Sequence, residues 1–373
     1  MKKFLVTLLL GASFANAATT QELERKINIL TKEVQDIQSQ GLSSRVSLGG
    51  YGEIVFKDNS DSNAQWDTLR NVLYVGYKFS DKWSFMTEIE IEHADEIYTE
   101  FAEIRYAHSE LLNFKAGLLL SPLGLVNLEH EPTRFIGVNR PEIEKNIIPT
   151  TMRENGFGVY GTWKNLDYKY YIMNSLEGWS NADASGFDAD GVRDGRQKGA
   201  KAVAGHWSHI LRLDYGFDFG LDLGTSVYVG TTNGDAQGEH NIYDVHLAYN
   251  YKGLMVKALY VYSTLDGKEF SAKSGNVVAD VMQGYYVDLG YNITHSKTYT
   301  IMPYVRYESY NTQDDVDATV GVADKANDRT NLTAGVMYKP LDKVSFKADY
   351  TKYENASNVG ESEAFNFGIG WEY

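Results

Sequence analysis

From Arg45 to Tyr373 the hydrophobic pattern has a period of two, interrupted by polar turns and loops. That period puts successive side chains on opposite faces of a strand. Sixteen segments carry it: 45–57, 67–79, 83–93, 98–108, 112–120, 156–164, 167–175, 205–216, 220–231, 240–251, 254–264, 279–292, 298–309, 329–339, 343–353 and 363–373. Each is roughly 9–13 residues, the length a tilted strand needs to cross a bilayer. Tight turns alternate with long polar stretches. Ser80–Lys82, Asn165-Leu166, Phe217–Phe219, Lys252-Gly253 and Pro340–Asp342 are of the first kind; 121–155, 176–204, 265–278 and 310–328 are of the second. Short turns on one side and long loops on the other are the pattern of a transmembrane barrel.

Segment 83–93 shows why one face must be wet. Trp83, Phe85, Thr87, Ile89 and Ile91 share a face; Glu88, Glu90 and Glu92 share the other. Three carboxylates in hydrocarbon would be prohibitively costly, so they face an aqueous lumen. The pairs Glu103/Arg105, Arg212/Asp214, Arg306/Glu308 and Lys347/Asp349 are spaced i, i+2 and fall on one face of their strands; Asp244, Lys257 and Asp288 add to the same interior. These residues are expected to line a pore. The alternative for each is a cross-strand pair that only satisfies polar groups.

The final segment alternates most cleanly. Phe365, Phe367, Ile369, Trp371 and Tyr373 are separated by Asn366, Gly368, Gly370 and Glu372. Alone it could close a soluble β-sandwich. As the sixteenth strand it returns to the side where the first began, and it is expected to pair with residues 45–57 and seal the barrel. The 27 Tyr fit membrane interfaces, where a ring meets hydrocarbon and a hydroxyl meets water.

The region before Arg45 reads differently. Lys2, Lys3, the apolar run 4–10 and Ala15-Asn16-Ala17 form a secretory signal peptide over residues 1–17. Over 18–40, Leu23, Ile27, Leu30, Val34 and Ile37 make a heptad seam, expected to be a periplasmic coiled-coil helix of two or three copies, or a helix packed on the barrel. Residues 41–44 are a linker, and 45–373 the barrel domain. Cysteine is absent, which excludes disulfides and thiol chemistry. Removing residues 1–17, with two Lys and no acid, takes the formal charge from −15 to −17, which disfavours nucleic acid as a partner.

The long segment 121–155 is the most informative insertion. Arg134, Arg140, Lys145 and Arg153 interleave with Glu142, Glu144 and other acids, while Ile136, Ile143, Ile147 and Ile148 supply apolar anchors. Such a segment is expected to fold into the barrel mouth and narrow it; an external cap or intersubunit contact is the alternative. No H-E-x-x-H, P-loop, or mature G-x-S-x-G occurs, so no catalytic residues, cofactor or metal site are expected. His206 and His209 lie on opposite faces, and the eight His read as loop and interface residues. Asp188, Asp190 and Asp194 lack EF-hand spacing and read as a solvated acidic loop.

The stretch from Leu112 to Gly161, with LNFKAGLLLSPLG and NLEHEPTRFIGVNRPEIEKNIIPTTMRENGFGVYG, resembles the phosphate-selective porin O/P family, as do the opening GGYGEI at 49–54 and the aromatic terminus. The resemblance implies a homotrimeric outer-membrane porin of a Gram-negative bacterium, contacting lipid and lipopolysaccharide, whose third external loop constricts the pore. Glu88, Glu90, Glu92 and the negative chain point away from phosphate as its solute. The sequence thus reads as an all-β, 16-stranded antiparallel transmembrane β-barrel preceded by a short periplasmic coiled-coil helix. Its expected function is passive diffusion of small hydrophilic solutes or ions. A structural or adhesive barrel, with loops 176–204 and 310–328 binding outside partners, is the competing reading.

Overall fold

The computed structural model describes residues 45–294, 296 and 298–373; the signal peptide, heptad helix and linker expected before them lie outside the described residues. Sixteen strands form one closed antiparallel barrel. In chain order they are β1 Val46–Asn59, β2 Gln65–Lys78, β3 Trp83–Glu92, β4 Glu96–Ala107, β5 Asn113–Leu120, β6 Arg153–Trp163, β7 Leu166–Asn174 and β8 Trp207–Phe217. The second half comprises β9 Leu221–Thr231, β10 Glu239–Tyr251, β11 Leu254–Leu265, β12 Val281–Tyr291, β13 Thr300–Asp315, β14 Asp328–Leu341, β15 Val344–Asn355 and β16 Ser362–Glu372. Every strand pairs with its sequence neighbour, and β16 pairs with β1 from Tyr51 opposite Glu372 to Asn59 opposite Ala364. Closure removes the free edges an open sheet would leave.

The alternation decides which face is which. On β12, Tyr285, Val287, Leu289 and Tyr291 are exposed, while Met282, Gly284, Tyr286, Asp288 and Gly290 are buried. The exposed set is apolar and the buried set mixed, so the apolar row faces outward. Around the barrel Ile104, Leu211, Leu223, Val245, Val305, Leu332 and Val336 continue that outer band. Aromatic rings flank it. Near the short turns, Trp83 lies tilted against Tyr106 at 4.8 Å, Tyr215 meets Phe217 edge-on at 4.8 Å and Tyr338 stacks on Phe346 at 6.2 Å. Near the long loops, Phe56 meets Trp66 at 5.1 Å and Phe157 meets Trp207 at 6.3 Å. An apolar belt between two aromatic girdles is the surface a bilayer requires. Among the described residues no helix is long and apolar enough to cross a membrane.

The turns at the two rims differ as the spacing predicts. At one rim, Lys252 and Gly253 have φ of 49° and 89°, the paired positive values of a two-residue hairpin whose twist suits antiparallel strands. The opposite rim carries the long connections, and these contain structure the sequence pattern hides. A three-stranded sheet joins Glu177–Ser180, Ser185–Gly186 and Asn233–Gly234, a helix α1 spans Ile143–Asn146, and a helix α2 spans Gly267–Ser274. Phe187 from the first of these loops packs edge-on against Phe270 of α2 at 5.0 Å and His240 of β10 at 4.9 Å. This apolar cap continues inward to Ile143, Ile147 and Ile148 as one buried cluster.

Candidate functional site: the barrel interior and its inward segment

The connection between β5 and β6, residues 121–152, runs through the barrel interior. Its path is fixed by apolar anchors and then by a series of charged contacts. Ile136 packs with Tyr304 and Met337 on β13 and β14. The inner face of β16 is cut down to glycine where the segment passes. A Cβ on Gly370 would lie 2.7 Å from the Pro132 Cβ, and one on Gly368 would lie 3.2 Å from Val138. The small residues that separate the aromatics of the last strand are therefore the floor on which the segment rests.

The basic residues of the wall hold the segment's backbone. Lys347 Nζ donates to the carbonyls of Phe135 and Gly137 at 2.7 Å each, and Arg306 Nη1 to that of Asn139 at 2.8 Å. Lys339 and Lys257 donate to the carbonyls of Thr133 and Arg134, both at 3.1 Å, and Arg212 donates to that of Gly124. From the other direction Val138 N–H donates to Asp349 at 2.7 Å, and Gly124 N–H to Asp244 at 3.3 Å. Hydrogen bonds with a charged partner are worth about 1.5–3 kcal/mol each, and leaving a buried carbonyl bare would cost on the same scale. The ladder satisfies an irregular backbone that has no strand partner.

Acids of the segment are met by the wall in turn. Glu144 accepts from Tyr286 Oη at 2.6 Å and from the N–H groups of Leu125 and Val126 at 2.8 Å. Burial raises its pKa above the ordinary carboxylate value, against the lowering effect of those donors. His130 places Nε2 3.5 Å from Glu88, and Tyr51 Oη donates to the same carboxylate at 3.0 Å. Burial alone would depress the His130 pKa, but the hydrogen bond and charge of Glu88 outweigh it and leave the pKa raised. Above, the 175–206 connection lies over the segment. Arg196 Nη1 donates to Thr150 O at 2.8 Å, as does Arg193, and Val192 N–H donates to Asn146 O at 3.0 Å. Burial and then the neighbouring guanidiniums lower the Arg193 pKa to about 10 and the Arg196 pKa to about 9.

Each residue expected to line the interior can now be placed. Glu88 and Glu90 are buried on β3, the latter 3.8 Å from Arg70, which also meets Glu53 at 3.3 Å; Glu92 follows on the same face, half-buried. Glu103 pairs with Arg105 on its own strand and with Lys115 of β5 at 3.1 Å. Arg212 and Asp214 pair at 2.7 Å, and His246 joins them, 3.0 Å from Asp214 and 2.6 Å from Asp244. Arg306 and Glu308 do not pair; Arg306 turns across to Asp288 on β12 with contacts of 2.6 and 3.0 Å. Lys347 and Asp349 each engage the segment instead of each other. Within the segment, Arg134 reaches Glu372 at 3.5 Å, Arg140 Nη2 donates to His130 O at 2.9 Å, and Lys145 pairs with Glu142 at 3.2 Å. Arg153 opens β6 and meets Glu100 at 2.5 Å.

Several interior residues escape a reading by period. Glu100 points inward because β4 bulges there, as Glu88 stands opposite Phe101 while Ile89 stands opposite Thr99. His240 and His246 are buried on the inner face of β10, which corrects the reading of the histidines as loop and interface residues; His130, in the β5–β6 connection, is a loop residue but a buried one. Asp188 accepts from the N–H groups of Asp190 and Gly191, and Asp190 pairs with Arg329 of β14, while Asp190 and Asp194 themselves stay exposed. Among the described residues, no group of three or more His, Cys, Asp or Glu could hold a metal ion.

No protein-family profile matches the chain. An uncharacterized protein of Aquifex aeolicus is 33% identical over 357 residues, covering 88% of this chain and 80% of its own length. Among solved structures, the outer membrane channel DcaP of Acinetobacter baumannii aligns over 88% of this chain and 97% of its own, with a TM-score of 0.60 and 10% identity. An anion-selective porin from Comamonas acidovorans aligns over 88% and 99%, with a TM-score of 0.56 and 11% identity. A trimer form of OmpT, an outer membrane protein of Vibrio cholerae, aligns over 88% and 99%, with a TM-score of 0.54 and 12% identity. The fold is that of the outer-membrane porins.

Proposed function

Since the chain belongs to the family of the Aquifex aeolicus protein and its barrel has the porin fold, we propose that it is an outer-membrane porin of a Gram-negative bacterium. It passes small hydrophilic solutes or ions by passive diffusion and performs no catalysis. The observation that carries this reading is the division of the wall. An apolar belt with aromatic girdles faces outward, and a charged face turns inward onto residues 121–152. A soluble barrel would have no use for the first, and a lipid-filled one could not tolerate the second.

In this reading the segment 121–152 is the constriction, and the rim bearing the long connections is extracellular, in contact with lipopolysaccharide. Arg212, Arg306 and Lys347 position the constriction through its carbonyls. Glu88, Glu90, Glu92, Glu103, Arg105, Asp214, Glu308 and Asp349 set the charge of the wall around it. Arg134, Arg140, Glu142, Glu144, Lys145 and Arg153 set that of the segment and its exit. A homotrimer, as the O/P resemblance implies, agrees with the trimer form described for the Vibrio protein. Deleting residues 18–40 is expected to weaken it, and an equally heat-resistant oligomer would argue against that role for the heptads.

Liposome swelling tests the proposal. Vesicles holding the purified protein are expected to swell in small sugars and much more slowly in large ones. Swelling no faster than that of protein-free vesicles for every solute would refute it.

A further inference from the structure

His130 and His246 meet carboxylates, but His240 meets none. It lies near the start of β10 with no exposed surface, and both of its ring nitrogens lack a hydrogen-bond partner. Its cage is apolar. Gly230 of β9 and Leu265 of β11 stand opposite it in the ladder, Tyr228 of β9 lies tilted against its ring at 5.2 Å, and Phe187 meets it edge-on at 4.9 Å. The strands supply the first three neighbours. Phe187 comes from the 175–206 connection and is backed by Phe270 of α2 at 5.0 Å.

The charged groups around this cage are engaged elsewhere. Glu239 precedes His240 on the strand, so its side chain belongs to the opposite face, and it is exposed. Asp244, further along the inner face, is held by Ser226 and His246. Asp266, after Leu265, accepts from the Glu239 N–H at 2.7 Å, and Asp188, after Phe187, from those of Asp190 and Gly191. Glu154, near Tyr228, accepts from the N–H groups of Gln197 and Lys198. On α2, Lys268 reaches Asp317 at 3.7 Å and Glu269 is exposed. An imidazolium in this cage would be a buried charge with neither counterion nor acceptor. The ring is therefore neutral while Phe187 covers it, and gains its proton in acid when Phe187 lifts.

The connection that carries Phe187 also holds the inward segment from above, through Val192 on Asn146 O and through Arg193 and Arg196 on Thr150 O. We propose that His240 is an acid-sensitive latch: neutral, it keeps the 175–206 connection closed over the segment, and protonated, it releases both. The effect on passage rests on the porin reading; the latch itself does not. Closure admits only the neutral ring, so it is fully stable above the ordinary histidine value of about 6.5. It weakens as pH falls below that value, by up to about tenfold for each pH unit.

Proteinase K digestion of the full-length protein in detergent, read by mass spectrometry, tests the latch. Cutting at the exposed turn around Val359 reports the protease's own response to pH. Relative to that turn, wild type is expected to be cut within residues 184–196 at least tenfold faster at pH 4.5 than at pH 7.5. His240→Phe keeps a ring in the cage and should show no such rise, while Phe187→Ala should be cut readily at both pH values. No rise in wild type, or an equal rise in His240→Phe, overturns the latch. If His240→Phe does not fold, a Phe187→Ala protein that still needs acid to be cut overturns it equally. In planar bilayers, acid on the side of the long loops should enlarge the steps of wild type more than those of His240→Phe. The same response in both would overturn the coupling to the segment. A wild type without conductance would overturn the porin reading and leave the digestion result to decide the latch.

Discussion

Lys347 Nζ lies 2.7 Å from the carbonyl of Phe135 and 3.9 Å from the centroid of its ring. The two residues are 212 positions apart in sequence, and among the described residues no carboxylate forms an ion pair with this buried lysine. Its charge is spent on the backbone and ring of the inward segment.

Replacing Lys347 by Met keeps the length of the side chain and removes its donors. The segment loses two hydrogen bonds worth about 1.5–3 kcal/mol each. Single-channel conductance is expected to rise and to flicker, with the barrel still heat-modifiable on gels. An unchanged, quiet conductance would show that the lysine does not restrain the segment.

Gly370 tests the floor beneath Pro132. A leucine there places its Cβ 2.7 Å from the proline Cβ, so the segment must lift. Limited trypsin digestion of protein in detergent should then cut faster after Arg134, whose carbonyl is held by Lys257 in wild type. Equal resistance of the two proteins would mean that Pro132 does not rest on this strand.

His130 gives the docking a pH dependence. Glu88 raises its pKa in the folded state, with Glu100 adding to the effect and Arg140 opposing it. A raised pKa contributes stability that is full below the unfolded value of about 6.5 and is lost as pH rises through the folded value. The segment should be held more firmly at pH 6 than at pH 9, so conductance noise should grow on alkalinisation. His130→Gln should abolish the difference; the same profile in both proteins would contradict it.

The outer face makes a separate prediction. Leu289 is exposed between Tyr285 and Tyr291, within the apolar belt. Leu289→Arg is expected to cost about 2–4 kcal/mol in lipid. Urea unfolding from vesicles measures it, and a loss under about 0.5 kcal/mol, the range of an ordinary surface substitution, would mean that this row does not face the bilayer.

The barrel was legible because a period of two runs through most of the sixteen strands, broken locally as at the β4 bulge, and because carboxylates such as Glu88 and Glu90 cannot face lipid. The four isoleucines of 121–155 announced a packed segment, and Ile136, Ile143, Ile147 and Ile148 are all buried. The partners of the charges were less legible. Spacing of i, i+2 found Arg212 with Asp214, where both share a strand. It could not find Arg306 with Asp288, which depends on β12–β13 register, although that pair stands directly opposite in the ladder. Nor could it find Glu100, whose direction is reversed by a bulge, or the carbonyls that Lys257, Lys339 and Lys347 seek, because backbone groups have no sequence signature.

To act as a constriction, the segment must lie both inside the barrel and across the path of solutes. The decisive measurement is the single-channel conductance of wild type beside a variant in which residues 126–148 are replaced by a short Gly-Ser linker. Discrete steps in wild type and steps several times larger in the shortened variant are predicted. Equal steps in the two proteins, or none in either, would contradict it.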